Sequence, residues 1–155
     1  MKESACNDVG IEYRDVNIAD DESLRQEDII DQIKIMAGDP TVSGIIVQLP
    51  LPEHINSQTV LSHIPSEKDV DGIGPYNIGA LGLKLHHPKF VSCTPMACLE
   101  LIILGLMKKH GTVIKKFDLE CVRSYLQGRR VTIIGRSNIV GMPLFLLLNR
   151  FDCQV

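Results

Sequence analysis

Residues 129–150, RRVTIIGRSNIVGMPLFLLLNR, constrain the fold more than any other stretch. A β-branched run, Val131–Ile134, meets Gly135, and after a second glycine, Gly141, an apolar helix begins. The pattern is strand, glycine turn, helix. A lone strand and helix cannot bury both faces of a sheet and an apolar helix, so the segment must belong to a layered α/β fold. Leu144 to Leu148 in particular needs cover. Only FDCQV follows, so the unit that opens at residue 129 is expected to be cut short. An isolated polypeptide of residues 1–155 is expected to aggregate or to leave 129–155 mobile.

Upstream, helices and strands alternate. Residues 1–9 read as the tail of a helix stopped by Gly10, so the chain is expected to start inside a domain. Residues 11–18 read as a strand. Ser23 with Gln26 three later is a capping-box signature. The helix after it carries Leu24, Ile29, Ile30, Ile33 and Met36 at helical spacing. Residues 44–48 read as a strand, parallel because a helix precedes it. That strand ends in Q-L-P-L-P. The prolines stop it, and Gln48 is left at its end, where a buried amide needs a partner or a ligand. Residues 56–64 suggest a shorter helix, and 66–90, rich in Gly, Pro, Asp and Asn, read as a long loop. Thr94 is the expected cap of a helix whose first residue is Pro95. Residues 112–128 read as an irregular linker with a short helix.

Composition narrows the classes of function. The chain is 45% apolar and 23% charged with a formal net charge of −3. That balance suits a globular protein and gives no electrostatic footprint for nucleic acid. No run reaches the length of a membrane span. Five irregularly spaced cysteines favour a reducing compartment over a disulfide framework.

Four groups of residues could carry chemistry. In G-R-S-N-I-V-G, Gly135 permits a tight turn, and Ser137, Asn138 and the first helix amides can face phosphate oxygens. Arg136 can meet an anion such as a ribose phosphate. The segment reads as the start of a dinucleotide-binding unit, although it is not G-x-G-x-x-G and a plain strand-to-helix turn uses the same residues. In K-D-V-D-G, alternation puts Asp69 and Asp71 on one side if the segment is extended. A ligand-binding aspartate suits it better than a cation site, and an Asx turn is the ordinary alternative. The five histidines, His86 and His87 included, show no zinc spacing. Cys93 at a helix start has no evident His partner, and no metal is expected.

Taken in order, S-A-C-N-D-V-G-I, V-Q-L-P-L-P, K-D-V-D-G, P-Y-N-I-G, C-T-P and G-R-S-N-I-V-G-M-P strongly resemble the methylenetetrahydrofolate dehydrogenase/methenyltetrahydrofolate cyclohydrolase family. The resemblance runs over nearly the whole chain and is weakest over 112–128. It implies a three-layer α/β folate-binding catalytic domain at 1–111, a linker or insertion at 112–128, and the beginning of a Rossmann-type NAD(P)-binding domain at 129–155. It also implies NADP-dependent oxidation of 5,10-methylenetetrahydrofolate and hydrolysis of the methenyl product to 10-formyltetrahydrofolate. Family members are commonly homodimers, and a cytoplasmic location is expected, with an organellar form left open.

The resemblance also assigns roles. The family's catalytic lysine falls on Lys2, and the tyrosine of its Y-x-x-x-K helix would precede residue 1. Its glutamine is Gln48, its folate-binding aspartate Asp71, and Leu49 and Pro50 join the substrate site. Cofactor-facing positions are Thr94, Gly135, Arg136, Ser137 and Gly141. A lysine in a partly dry cleft has a lowered pKa and can cycle its proton. NADP is preferred to NAD because Arg136 suits a 2′-phosphate and no acidic residue lies between 135 and 151. A monofunctional member, or an inactive piece with a structural role, are the alternative readings.

Overall fold

The computed structural model describes residues 2–18, 23–83, 87–111 and 119–155. Seven helices are found there: α1 (Lys2–Asp8), α2 (Gln26–Gly38), α3 (Ser57–Leu61), α4 (Pro75–Gly82), α5 (Cys93–His110), α6 (Leu119–Leu126) and α7 (Gly141–Arg150). Pairing between extended segments is sparse. Among the described residues it consists of two isolated parallel bridges, Ile45 with Asp69 and Arg130 with Gln154. The expected strand at 11–18 is irregular, and those at 44–48 and from 129 are reduced to single bridges. An extended segment becomes a strand only when a neighbour supplies the ladder.

The second bridge nevertheless gives the end of the chain a definite course. Val131 N donates to Gln154 O, and Gln154 N to Arg129 O, both at 2.9 Å. Residues 129–131 and 154 therefore lie side by side in the same direction, with α7 as the crossover between them. FDCQV thus carries the chain back beside 129–131 after α7.

Several element boundaries move from their expected places. Helix α2 begins at Gln26, which puts Ser23 outside it; Asp28 closes the start instead, its Oδ2 accepting from Arg25 N at 3.0 Å. The Arg25 hydrogen bonds hold the Asp28 carboxyl below its ordinary value. Gln26 Oε1 is used elsewhere, accepting from Asn56 N at 3.0 Å. Asn56 in turn caps α3 by accepting from Thr59 N.

Helix α4 stands inside 66–90, expected as loop. Its two glycines, Gly79 and Gly82, lower its intrinsic propensity. Pro75 at the first turn and the burial of Asn77, Ala80 and Leu81 hold it in place. Helix α5 starts at Cys93, with Ser92 in the cap position, so Thr94 is not its cap and Pro95 is not its first residue. It ends on Gly111 in the left-handed conformation, φ 65°. Of the expected linker, 112–118 lie outside the described residues and the remainder carries α6.

Among the described residues, buried side chains form two clusters. Ile29, Ile30 and Ile33 of α2 pack with Ile45, Ile55 and Val60. The other cluster joins Leu81 of α4, Leu99 and Ile103 of α5, Val122 and Leu126 of α6, and Leu147 and Leu148 of α7. The cover that the apolar helix requires thus comes from α4 and α5, with α6 packed on α5. Arg150 adds a polar tie, its Nη1 donating to Ala80 O at 3.3 Å and Leu83 O at 3.2 Å at the carboxyl end of α4.

Candidate functional site

Gln48 and Asp71 each follow a segment held by the first parallel bridge. Ile45 N donates to Lys68 O at 2.7 Å, in register with the Ile45–Asp69 bridge. Gln48 and Asp71 lie three and two residues beyond the paired residues, so both leave the pairing at the same end. Lys68 reinforces the junction. Its half-buried ammonium donates to Asp39 O at 2.7 Å and Ala37 O at 2.9 Å, closing the carboxyl end of α2 onto K-D-V-D-G.

Helix α1 delivers Lys2 to the same end. Lys2 Nζ donates to Gln48 Oε1 at 2.7 Å, across 46 residues of sequence. Gln48 Nε2 donates to Leu49 O at 2.9 Å, which fixes the amide with its oxygen toward the lysine. Both side chains are exposed rather than enclosed. The Leu49–Pro50 peptide that follows is cis. Leu49, Pro50, Leu51 and Pro52 line a cavity of about 390 Å³ whose far wall includes Ile139 of the glycine turn. Residues 49–52 and Ile139 therefore border one cavity.

The two carboxylates of K-D-V-D-G part company. The segment is turned, not extended: Gly72 N donates to Asp69 O at 2.9 Å. Asp69 is buried, and its Oδ2 accepts from Gly74 N at 2.9 Å and from Asn77 Nδ2 at 2.7 Å. Asp71 is half-buried, at the turn. A reading of both carboxylates on one face fails because the backbone turns at Asp69–Gly72 instead of running extended. Asn77 was given no role from the sequence. Its place, just inside a helix opened by Gly-Pro, is the signal that could have singled it out, since asparagine is unfavourable within a helix unless its side chain is used.

The glycine turn is tight. Gly135 has φ 119°, and a Cβ at Gly141 would stand 2.8 Å from Gly135 O and 2.9 Å from Arg136 Cα, so this approach requires glycine. Ser137 Oγ accepts from Val140 N at 3.2 Å and Gly141 N at 3.3 Å, and Ser137 O accepts from Met142 N. The first amides of α7 are thus engaged by Ser137 rather than held open. The exposed turn Arg136–Asn138 is what a phosphate would meet. The Arg136 guanidinium and the close glycine approach fit such a group. Thr94 lies exposed in the first turn of α5, as does Cys93. His86 lies outside the described residues and His87 is exposed. Among the described residues no group of three His, Cys, Asp or Glu could hold a metal ion, and no helix is long and apolar enough to cross a membrane.

The family model for tetrahydrofolate dehydrogenase/cyclohydrolase, catalytic domain, matches residues 1–71. The chain is 42% identical over 154 residues to bifunctional protein FolD 4, chloroplastic, of Arabidopsis thaliana, covering 99% of this chain and 38% of that protein. It is 39% identical over 147 residues to the bifunctional protein FolD of Polynucleobacter asymbioticus, covering 95% of this chain and 44% of that one. Among solved structures it is similar to a Trypanosoma brucei methylenetetrahydrofolate dehydrogenase-cyclohydrolase (FolD) complexed with NADP cofactor and inhibitor. That likeness has a TM-score of 0.77 at 29% identity and covers 99% of this chain and 45% of that chain. The FolD of Campylobacter jejuni gives a TM-score of 0.75 at 34% identity, over 98% of this chain and 47% of the other. The chain thus spans less than half the length of these relatives. With its motifs, its fold and its relatives in agreement, the chain belongs to the tetrahydrofolate dehydrogenase/cyclohydrolase family.

Proposed function

We propose that the chain supplies the folate-side catalytic residues of an enzyme that oxidises 5,10-methylenetetrahydrofolate with NADP and hydrolyses the methenyl product to 10-formyltetrahydrofolate. The observation that carries this reading is the Lys2–Gln48 hydrogen bond, 2.7 Å long, at the start of the Q-L-P-L-P segment.

In the hydrolysis, Lys2 serves as the acid–base group: its nitrogen, tied to Gln48 Oε1 through one N–H, takes a proton of the attacking water. The water oxygen bonds to the methenyl carbon, and the proton passes to the amine. As the bond from that carbon to N5 breaks, N5 takes the proton back from the lysine, and the hydroxyl proton leaves to solvent. Gln48 keeps the amine in place through both transfers, because Leu49 O anchors its own amide. Asp71 accepts from the amino and N–H edge of the pterin, and Leu49 and Pro50 form the apolar wall beside the ring.

Gly135, Arg136, Ser137, Gly141 and Thr94 would hold NADP, the first four within 129–155 as the opening of a Rossmann-type domain. Bound NADP supplies the hydride acceptor; the residues here orient the two ligands. The relatives' names span chloroplast, mitochondrion and cytoplasm; a cytoplasmic homodimer is the form proposed for this protein.

The test assays the full-length protein for loss of 5,10-methenyltetrahydrofolate absorbance without cofactor, and for NADP reduction with the methylene substrate. Both reactions are expected. Absence of both contradicts the reading; one without the other selects a monofunctional enzyme.

A further inference from the structure

A buried polar relay joins the two halves of the proposed site. Asp69 and Asn77 are each 1% exposed. Asn77 Nδ2 donates to Asp69 Oδ2 at 2.7 Å and to Ser66 O at 3.4 Å. Its Oδ1 accepts from Lys89 N at 2.8 Å and Phe90 N at 3.2 Å, on the strand of chain that leads into α5. The backbones also meet directly. A Cβ on Gly72, whose φ is 64°, would stand 2.8 Å from Phe90 O and 2.9 Å from Ser92 N. Asp71 is the residue before Gly72, and Thr94 lies two residues after Ser92.

We propose that Asp69 and Asn77 are positioning residues that fix Asp71 relative to the amino end of α5, and with it the folate relative to the cofactor. The inference rests on the proposed function, in which Asp71 holds the pterin and Thr94 helps to hold NADP. Neither residue need touch a ligand. Asp69 holds Gly74 at the start of α4, Asn77 holds Asp69, and the same amide holds residues 89–90. Because the network is closed and buried, each member restrains the others. Hydride transfer depends on the separation of both ligands, whereas binding of either depends on one side alone.

The experiment combines kinetics with amide exchange in wild type, Asn77→Ala and Asp69→Asn. In the full-length protein, Asn77→Ala is expected to lower kcat of the oxidation about 10- to 100-fold while each KM changes less than about threefold. Asp69→Asn keeps the accepting oxygen but not its charge, and is expected to recover most of that kcat. Exchange at Gly74, Lys89 and Phe90 is expected to accelerate together in Asn77→Ala. Should that variant not fold, Asp69→Asn carries the test, with a smaller kcat loss at unchanged KM. An unchanged kcat, a loss confined to one KM, or acceleration at 89–90 with Gly74 still protected overturns the proposal. A wild type inactive in both reactions defeats the proposed function instead, and exchange still decides the relay: joint acceleration upholds it, independent behaviour overturns it.

Discussion

Arg136 shows how far a single side chain could be read. Its place after Gly135 was visible in the sequence, because a strand followed by that turn aims the next residues toward any anion at the helix start. What could not be read was that Ser137 occupies the Val140 and Gly141 amides itself, since a serine hydroxyl serves a cap and a ligand equally well. This leaves Arg136 as the main fixed charge of the turn. Arg136→Ala is therefore expected to weaken NADP binding by about 1.5–3 kcal/mol, the scale of charged hydrogen bonds, and to spare NAD, as compared by titration of both cofactors. Equal losses would mean that the side chain only shapes the turn. Lys2 and Gln48 show the opposite limit. Nothing in the physics of the first two residues marks Lys2, and its contact with Gln48, 46 positions away, was accessible only through a motif offset.

At the scale of elements, helices with apolar periodicity, such as α2 and α5, were legible within a few residues. Helix α4 was not, because glycine, proline and asparagine are also the residues of loops, and only burial against α7 decides between them. The strands failed for a related reason, since a ladder depends on neighbours that no local pattern records. Lys68 belongs to this scale too. Its ammonium closes the last turn of α2 through Met36, Ala37 and Asp39 carbonyls. Lys68→Met would leave these half-buried acceptors without the charge, at a cost of about 1.5–3 kcal/mol in denaturant unfolding, and would loosen K-D-V-D-G with it. Folate affinity should fall in step.

Over the whole molecule, the buried side chains connect what the motif pattern separated. The second cluster runs across the expected boundaries at 111 and 129, from Leu99 of α5 to Leu148 of α7. The need for cover over Leu144–Leu148 was clear from the run itself; its source was legible only in part, because α4, which shares the cover with α5, is the helix that the sequence concealed. Leu148, fully buried, is expected to contribute heavily: Leu148→Ala should cost about 2–5 kcal/mol and speed amide exchange in α5 as well as α7. Exchange that changes in α7 alone would mean the two helices open independently. The proposed activity turns on whether Lys2, set against Gln48, moves the proton in hydrolysis. The measurement is the rate of 5,10-methenyltetrahydrofolate hydrolysis by the full-length protein carrying Lys2→Met, beside its rate of NADP reduction. Hydrolysis should fall to the uncatalysed rate while part of the hydride transfer survives, because only the first reaction uses the amine as its acid and base. An unchanged hydrolysis rate would contradict the assignment.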